Sequence, residues 1–188
     1  MAKKFFYVCA GVFLLAASST VAYADDLLPY GATGYRYCIC APSEAMFHPS
    51  FDDSSWPIGS AAFGSAGGCS PPNIQTEVRA QTVLRRHFML SGTPVEPQLR
   101  LSYAGQITVY INGYHIATLI QSSCTHLNDA IISLGTNVLV SGDNVIAVAC
   151  DFGWVGTFGS PYCDLSLTGA GATIVEKTEW GAVKQRYR

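Results

Sequence analysis

The stretch ITVYINGYHIATLI, Ile107 to Ile120, constrains the fold of this chain more than any other. Two runs rich in β-branched and aromatic residues meet at Asn112-Gly113, a pair that accepts the positive φ angles of a tight hairpin turn, so strands are expected at 106–111 and 114–120. The alternation recurs on both sides of this hairpin. TVLRRHFML, Thr82 to Leu90, sets Leu84, Arg86, Phe88 and Leu90 on one face and Val83, Arg85, His87 and Met89 on the other. QLRLSYAG opposes Leu99, Leu101 and Tyr103 to Arg100 and Ser102. In VSGDNVIAVACDF a Gly-Asp-Asn turn opens a strand that is apolar on both faces, as a central strand is, and YCDLSLTG supplies a last strand. Short runs between frequent glycines and prolines specify an all-β domain, an antiparallel β-sandwich. Residues 126–134, HLNDAIISL, read as a short helical turn or an irregular crossing. Residues 59–72, GSAAFGSAGGCSPP, read as a long surface loop pinned by Cys69. No repeat of roughly 20 to 50 residues marks a propeller or solenoid.

The first residues read as an export signal. Lys3 and Lys4 precede an apolar run, Phe5 to Ala17, that is too short to span a bilayer, and Ala22-Tyr23-Ala24 suits a signal peptidase. Cleavage after Ala24 is expected to leave 164 of the 188 residues, a length for one domain, with a first arm at 25–46, a sandwich at 47–170 and a tail at 171–188. That mature chain carries 9 basic and 13 acidic residues, a net charge of −4, which excludes a polycation for nucleic acid. No later segment is apolar enough for a membrane span, so a secreted location, extracellular or periplasmic, is expected.

Six cysteines remain after the signal: Cys38, Cys40, Cys69, Cys124, Cys150 and Cys163. An even number in an exported chain indicates disulfides, though six allow 15 connectivities. Cys38 and Cys40 fall on one face of an expected strand, a poor geometry for mutual bonding, so each is expected to reach elsewhere. Cys150 and Cys163 flank one loop, and a bond closing about 14 residues would contribute roughly 3 kcal/mol in the chain-entropy model. Paired C-x-x-C spacing, the mark of a zinc ribbon, is absent from the mature sequence.

FDDSSWP, Phe51 to Pro57, is the densest cluster of polar chemistry in the chain. Asp and Ser side chains bond nearby backbone amides, so Asp52, Asp53, Ser54 and Ser55 suit a tight corner with Phe51 and Trp56 packed beneath. Acid–base work would need two carboxylates in opposed environments, and neighbours on a turn usually diverge. Calcium is the one metal that these oxygen ligands would suit; no other cofactor is indicated. The four histidines lack metal-ligand spacing, and no G-x-S-x-G elbow accompanies them, so the chain reads as non-catalytic. Recognition is better placed in the loop Asp151 to Cys163, where Phe152, Trp154, Phe158 and Tyr162 sit among glycines beside Asp151. Aromatic faces stack on sugar rings and also anchor protein interfaces.

Read in order, FDDSSWPIGSAAFG, LRRHFML, LRLSYAGQITVYINGYHI, LVSGDNVIAVAC and CDLSL resemble the galactose-binding-domain-like β-sandwich, the jelly-roll sugar-binding module of many β-galactosidases, β-glucuronidases and rhamnosidases. In that family an Asp-Asp-Ser-x-Trp turn, an Arg-x-Phe strand, an Asn-Gly hairpin and a Gly-x-Asn turn follow one another as they do here. The likeness covers residues 47 to 168 and implies a jelly roll and a carbohydrate partner. Such modules usually precede a catalytic barrel, and six cysteines are not part of their pattern. The expected function is a secreted, non-catalytic recognition module for carbohydrate or a cell-surface protein. The alternative is a structural subunit of an extracellular assembly, a homo-oligomer built through arms at 25–42 and 172–188.

Overall fold

A computed structural model of the 188-residue chain describes residues 25–65, 73–120, 128–151 and 162–175. Among the described residues thirteen strands follow in chain order: β1 (Asp25–Leu28), β2 (Thr33–Cys38), β3 (Ile58–Ser60), β4 (Phe63–Gly64), β5 (Thr76–Glu77), β6 (Thr82–Leu90), β7 (Val95–Ala104), β8 (Gln106–Ile111), β9 (Tyr114–Ile120), β10 (Asn128–Ser133), β11 (Gly142–Asp151), β12 (Tyr162–Ala170) and β13 (Ile174–Val175). A 3-10 turn, Glu44–Phe47, lies between β2 and β3. The first sheet runs β10-β7-β12-β4-β5, with β1 also on β12. The second runs β3-β2-β6-β11-β8-β9, with β13 also on β6. The fold is the expected all-β sandwich.

Period-2 alternation assembles it. Leu99, Leu101, Leu165 and Leu167 of the first sheet and Leu84, Ile107, Val109, Ile111, Ile146 and Val148 of the second are all buried in one apolar cluster between the layers. At the hairpin, Asn112 and Gly113 take φ of 52° and 83°, the left-handed pair that a two-residue turn requires. The two turn motifs then bond each other. Asn112 Nδ2 donates to Asn144 Oδ1 at 2.8 Å, and the amide of Val145 donates to Asn112 Oδ1 at 2.9 Å. The buried Asn144 also closes its own turn, through the amide of Val140 and the carbonyls of Val140 and Gly142.

Several expectations need correction. Residues 128–133 form β10, an edge strand in register with β7 from Asn128↔Tyr103 to Ser133↔Gln98, and not a helical turn. Pairing with an open sheet edge outweighed the weak local preference. The expected loop at 59–72 holds strand residues at 58–60 and 63–64, and Ala61, Ala62 and Phe63 are buried; residues 66–72, Cys69 among them, lie outside the described residues, as does Cys124. Cys38 and Cys40 bond each other. β2 ends at Cys38 and the chain bends at Cys40, so their Cα atoms are 5.4 Å apart, closer than the roughly 6.6 Å of alternate residues in a continuing strand.

Cys150 and Cys163, expected to be bonded, are free thiols. β11 and β12 carry them into the core from opposite sheets, where they share a hydrogen bond. Burial, and next the Cys163 thiol, push the Cys150 thiol well above its ordinary range. Both should therefore resist alkylation in the native protein and react once it unfolds. Peptide-mapped labelling with iodoacetamide, with and without urea, checks this; rapid native labelling of either would contradict the packing.

Candidate functional site

The outer face of the first sheet holds a basin of about 470 Å³ with both apolar and polar lining. β12 places Tyr162, Asp164 and Ser166 on that face, opposite its inward Cys163, Leu165 and Leu167. Strand register then builds two rows across three strands. Asp164 is opposite Ser102, which is opposite Asp129; Ser166 is opposite Arg100, which is opposite Ile131. Neighbouring strands stand about 4.8 Å apart, so these side chains form one continuous surface. Tyr30, in the turn after β1, closes one side with its hydroxyl bonded to Ser166. Asn73 closes another and bonds Tyr162.

The electrostatics of the basin follow from burial. Asp164 is only 3% exposed, and its carboxyl is raised above the ordinary value because burial penalises the charge more than its backbone donors relieve it. Those donors are the amide of Gly31, at 3.1 and 3.2 Å from the two carboxylate oxygens, and the amide of Leu165 at 2.8 Å. Burial and then the charge of Asp164 push Tyr162 up to about 12. Tyr30 is raised too, chiefly by burial. Both phenols therefore stay protonated at neutral pH beside two carboxylates, a guanidinium and two serine hydroxyls. Tyr30 and Ile131 stand 46% and 64% exposed at this basin and give it apolar surface as well.

Of the residues expected in a recognition loop, Tyr162 is here; Asp151, at the end of β11, accepts a hydrogen bond from Gln81 Nε2 at 3.2 Å. Phe152, Trp154 and Phe158 lie outside the described residues. Sequence reasoning missed Tyr30, Arg100, Asp129 and Asp164. The signal was present in the polar members of β7 and β12, but only the register brings them side by side.

The FDDSSWP corner sits on the outer face of the second sheet. Asp52 Oδ1 accepts the amide of Ser54 at 2.9 Å, and bonds from Ser54 hold its carboxyl below the ordinary range. Phe51 and Trp56 pack with ring centroids 5.5 Å apart. Asp53 turns inward to Arg85, whose Nε donates to Asp53 Oδ2 at 2.7 Å; His87 Nε2 lies 2.9 Å from the same oxygen. Arg85 is fully buried, and its Nη1 donates to the carbonyls of Met46 and His48. Burial works against the charge of Asp53, yet the bonds from Arg85 and His87 outweigh it and lower its pKa. Among the described residues no group of three or more His, Cys, Asp and Glu converges as metal ligands would, and no helix is long and apolar enough to cross a membrane.

No protein-family model matches the sequence, and no curated protein matches it. Solved structures do. A β-glucuronidase from Bacteroides uniformis superposes with a TM-score of 0.57 at 19% identity, over 78% of this chain and 18% of that one. The shared part is an all-β sandwich, the fold that the sequence resemblance implied. A glycoside hydrolase family 2 β-glucuronidase gives 0.51 at 18% identity, covering 79% and 18% of the two chains. One from Ruminococcus gnavus gives 0.51 at 10% identity, covering 88% and 36%. The chain thus spans a minor part of each enzyme, and the likeness is one of fold.

The two buried carboxyls give stability opposite dependences on pH. The folded pKa of Asp53 is depressed, so its contribution is present above the unfolded value and is lost as pH falls through the folded one. That of Asp164 is raised, so stability falls as pH rises from the ordinary carboxyl value through the folded one. Asp53→Asn, which leaves Arg85 without its anion, should lose about 3–5 kcal/mol at pH 7, whereas Asp164→Asn should be at least as stable as the native protein. Urea unfolding at pH 7 and pH 4 checks both signs.

Proposed function

We propose that the protein is a secreted, non-catalytic accessory module that binds carbohydrate in the basin on its first sheet. One observation carries this reading: Tyr30, Tyr162, Arg100, Asp129 and Asp164 converge on a surface concavity with both apolar and hydrogen-bonding character. Saccharides present the matching chemistry, a weakly polar ring face edged by hydroxyls that donate and accept. Asp164 is suited to binding and not to proton transfer, since both of its oxygens already accept the Gly31 amide. The likeness to parts of β-glucuronidases supports a carbohydrate context. From the sequence we also propose that Phe152, Trp154 and Phe158 contribute to carbohydrate binding.

The assembly reading is less well supported. Residues of the N-terminal arm are used within the domain, β1 on β12 and β2 on β6, while residues 176–188 lie outside the described residues.

A glycan array followed by calorimetry on the mature protein tests the proposal. Tyr30→Ala and Asp129→Ala, both at exposed positions, should each weaken the best glycan about tenfold or more, roughly 1.4 kcal/mol. Trp154→Ala should weaken it comparably. Absence of binding by the native protein to any glycan, or affinities unchanged in all three variants, would overturn it.

A further inference from the structure

We propose that a groove at the edge of β6, on the second sheet, binds a carboxylate-bearing ligand the size of one or two sugar rings, with Arg86 receiving the carboxylate. The groove arises from a break in strand pairing. On one edge β6 pairs with β2 through Val83–Arg85 and with β13 through Met89–Leu90, so Arg86, His87 and Phe88 fall between the two partners. The resulting space is about 800 Å³ and is lined by Arg36, Asp53, Arg86, His87 and Asp143 among others, a size within the usual range of ligand sites.

Arg86 is the unexplained group in this groove. Its Nε is buried and has no hydrogen-bond partner, and it forms no ion pair among the described residues. Asp53, which also lines the groove, is already committed. Asp53 Oδ2 is held by Arg85 at 2.7 Å and by His87 at 2.9 Å, and Oδ1 lies 3.7 Å from Arg36 Nε. Arg36 in turn spends its Nη1 on the carbonyls of Ser54 and Trp56. Asp53 is paired with the buried Arg85, which leaves Arg36 and Arg86 in the groove with the exposed carboxyl of Asp143. An unpaired guanidinium drawn partly out of water is costly, so its retention points to an anion supplied from outside.

The local geometry specifies which anion. The guanidinium lies over the ring of Tyr35, its central carbon 5.5 Å from the centroid, so one of its faces is blocked. Arg86 lines the groove, and a guanidinium there meets a planar carboxylate with charge-assisted bonds. Room for the group comes from Gly34: with φ of 80°, it would place an added Cβ 2.7 Å from Arg86 Nη1. Phe88, Met89 and Ile174 provide apolar wall beside it. Only the ring of the ligand rests on the saccharide reading above; the anion rests on Arg86 alone.

Calorimetry on the full mature chain with glucuronate, acetate and glucose tests the assignment. Glucuronate should bind, glucose at least tenfold more weakly, and Arg86→Gln should lose at least tenfold in glucuronate affinity, with Arg86→Lys intermediate. Asp143→Asn, an exposed change that removes the opposing charge, should bind two- to threefold more tightly. Tyr30→Ala, in the basin of the other sheet, should leave glucuronate affinity unchanged, which separates failure here from failure of the basin. Acetate binding as tightly as glucuronate would uphold the carboxylate site and reduce its ligand to a simple acid. No response to either acid, equal binding of glucose, or a loss in Tyr30→Ala without one in Arg86→Gln would overturn the proposal. Thermal melts provide a folding control: Arg86→Met should melt no lower than the native protein without ligand, and a lower midpoint would assign Arg86 a structural role instead.

Discussion

The apolar layer between the two sheets is the constraint on which the rest of the structure depends. Leucines of β7 and β12 meet isoleucines and valines of β8 and β11 across it, and no other cluster in the described residues is comparable in size. Because side chains alternate along a strand, fixing the inward set also fixes the outward one. Burying Leu165 and Leu167 is what turns Asp164 and Ser166 outward to form the basin. Burying Leu84 and Phe88 sets Arg85 and His87 on the opposite outer face. The polar sites are in that sense by-products of the core register.

The second sheet carries an additional layer. Residues 44–56 fold over β6, β8 and β11, with Phe47 stacked on Tyr110 at 4.1 Å and packed near Val83 and Ala147. An arginine on the covered face then loses its water. Arg85 is compensated by Asp53 and by backbone carbonyls of the covering segment, so the ion pair fixes where that segment lies. Replacing both partners by apolar residues could preserve stability, since a buried pair recovers little more than its own desolvation. The pair is better understood as a positional device. Arg86, one residue along, lies on the other face of β6 and has no ion pair among the described residues.

Much of the architecture was legible in the chain. The hairpin strands fall at 106–111 and 114–120 as the Asn-Gly pair indicates, and β6 spans 82–90 as its alternation does. These signals are local: a turn that needs positive φ, and a period of two. Where local signals were weak or misleading, the reading failed for identifiable reasons. HLNDAIISL has no clean period, and the vacant edge of β7 decided its conformation. Cys38 and Cys40 look like alternate residues of a continuing strand until the bend after Cys38 is known. The expected partnership of Cys150 and Cys163 placed two side chains correctly beside each other, but as thiols in the core and not as a bond at its margin.

The sequence by itself determined β6 to β9, β11 and β12, the hairpin turn at Asn112-Gly113 and the alternation of faces along these strands, because these depend on near neighbours and on the amino acids' own conformational preferences. Only the tertiary structure decided what the wet faces become. Whether Arg85 is buried, Arg86 Nε left without a partner among the described residues or Asp164 enclosed depends on which strand lies alongside and which segment lies on top, and those partners are supplied by residues distant in the chain, whose positions no local pattern encodes.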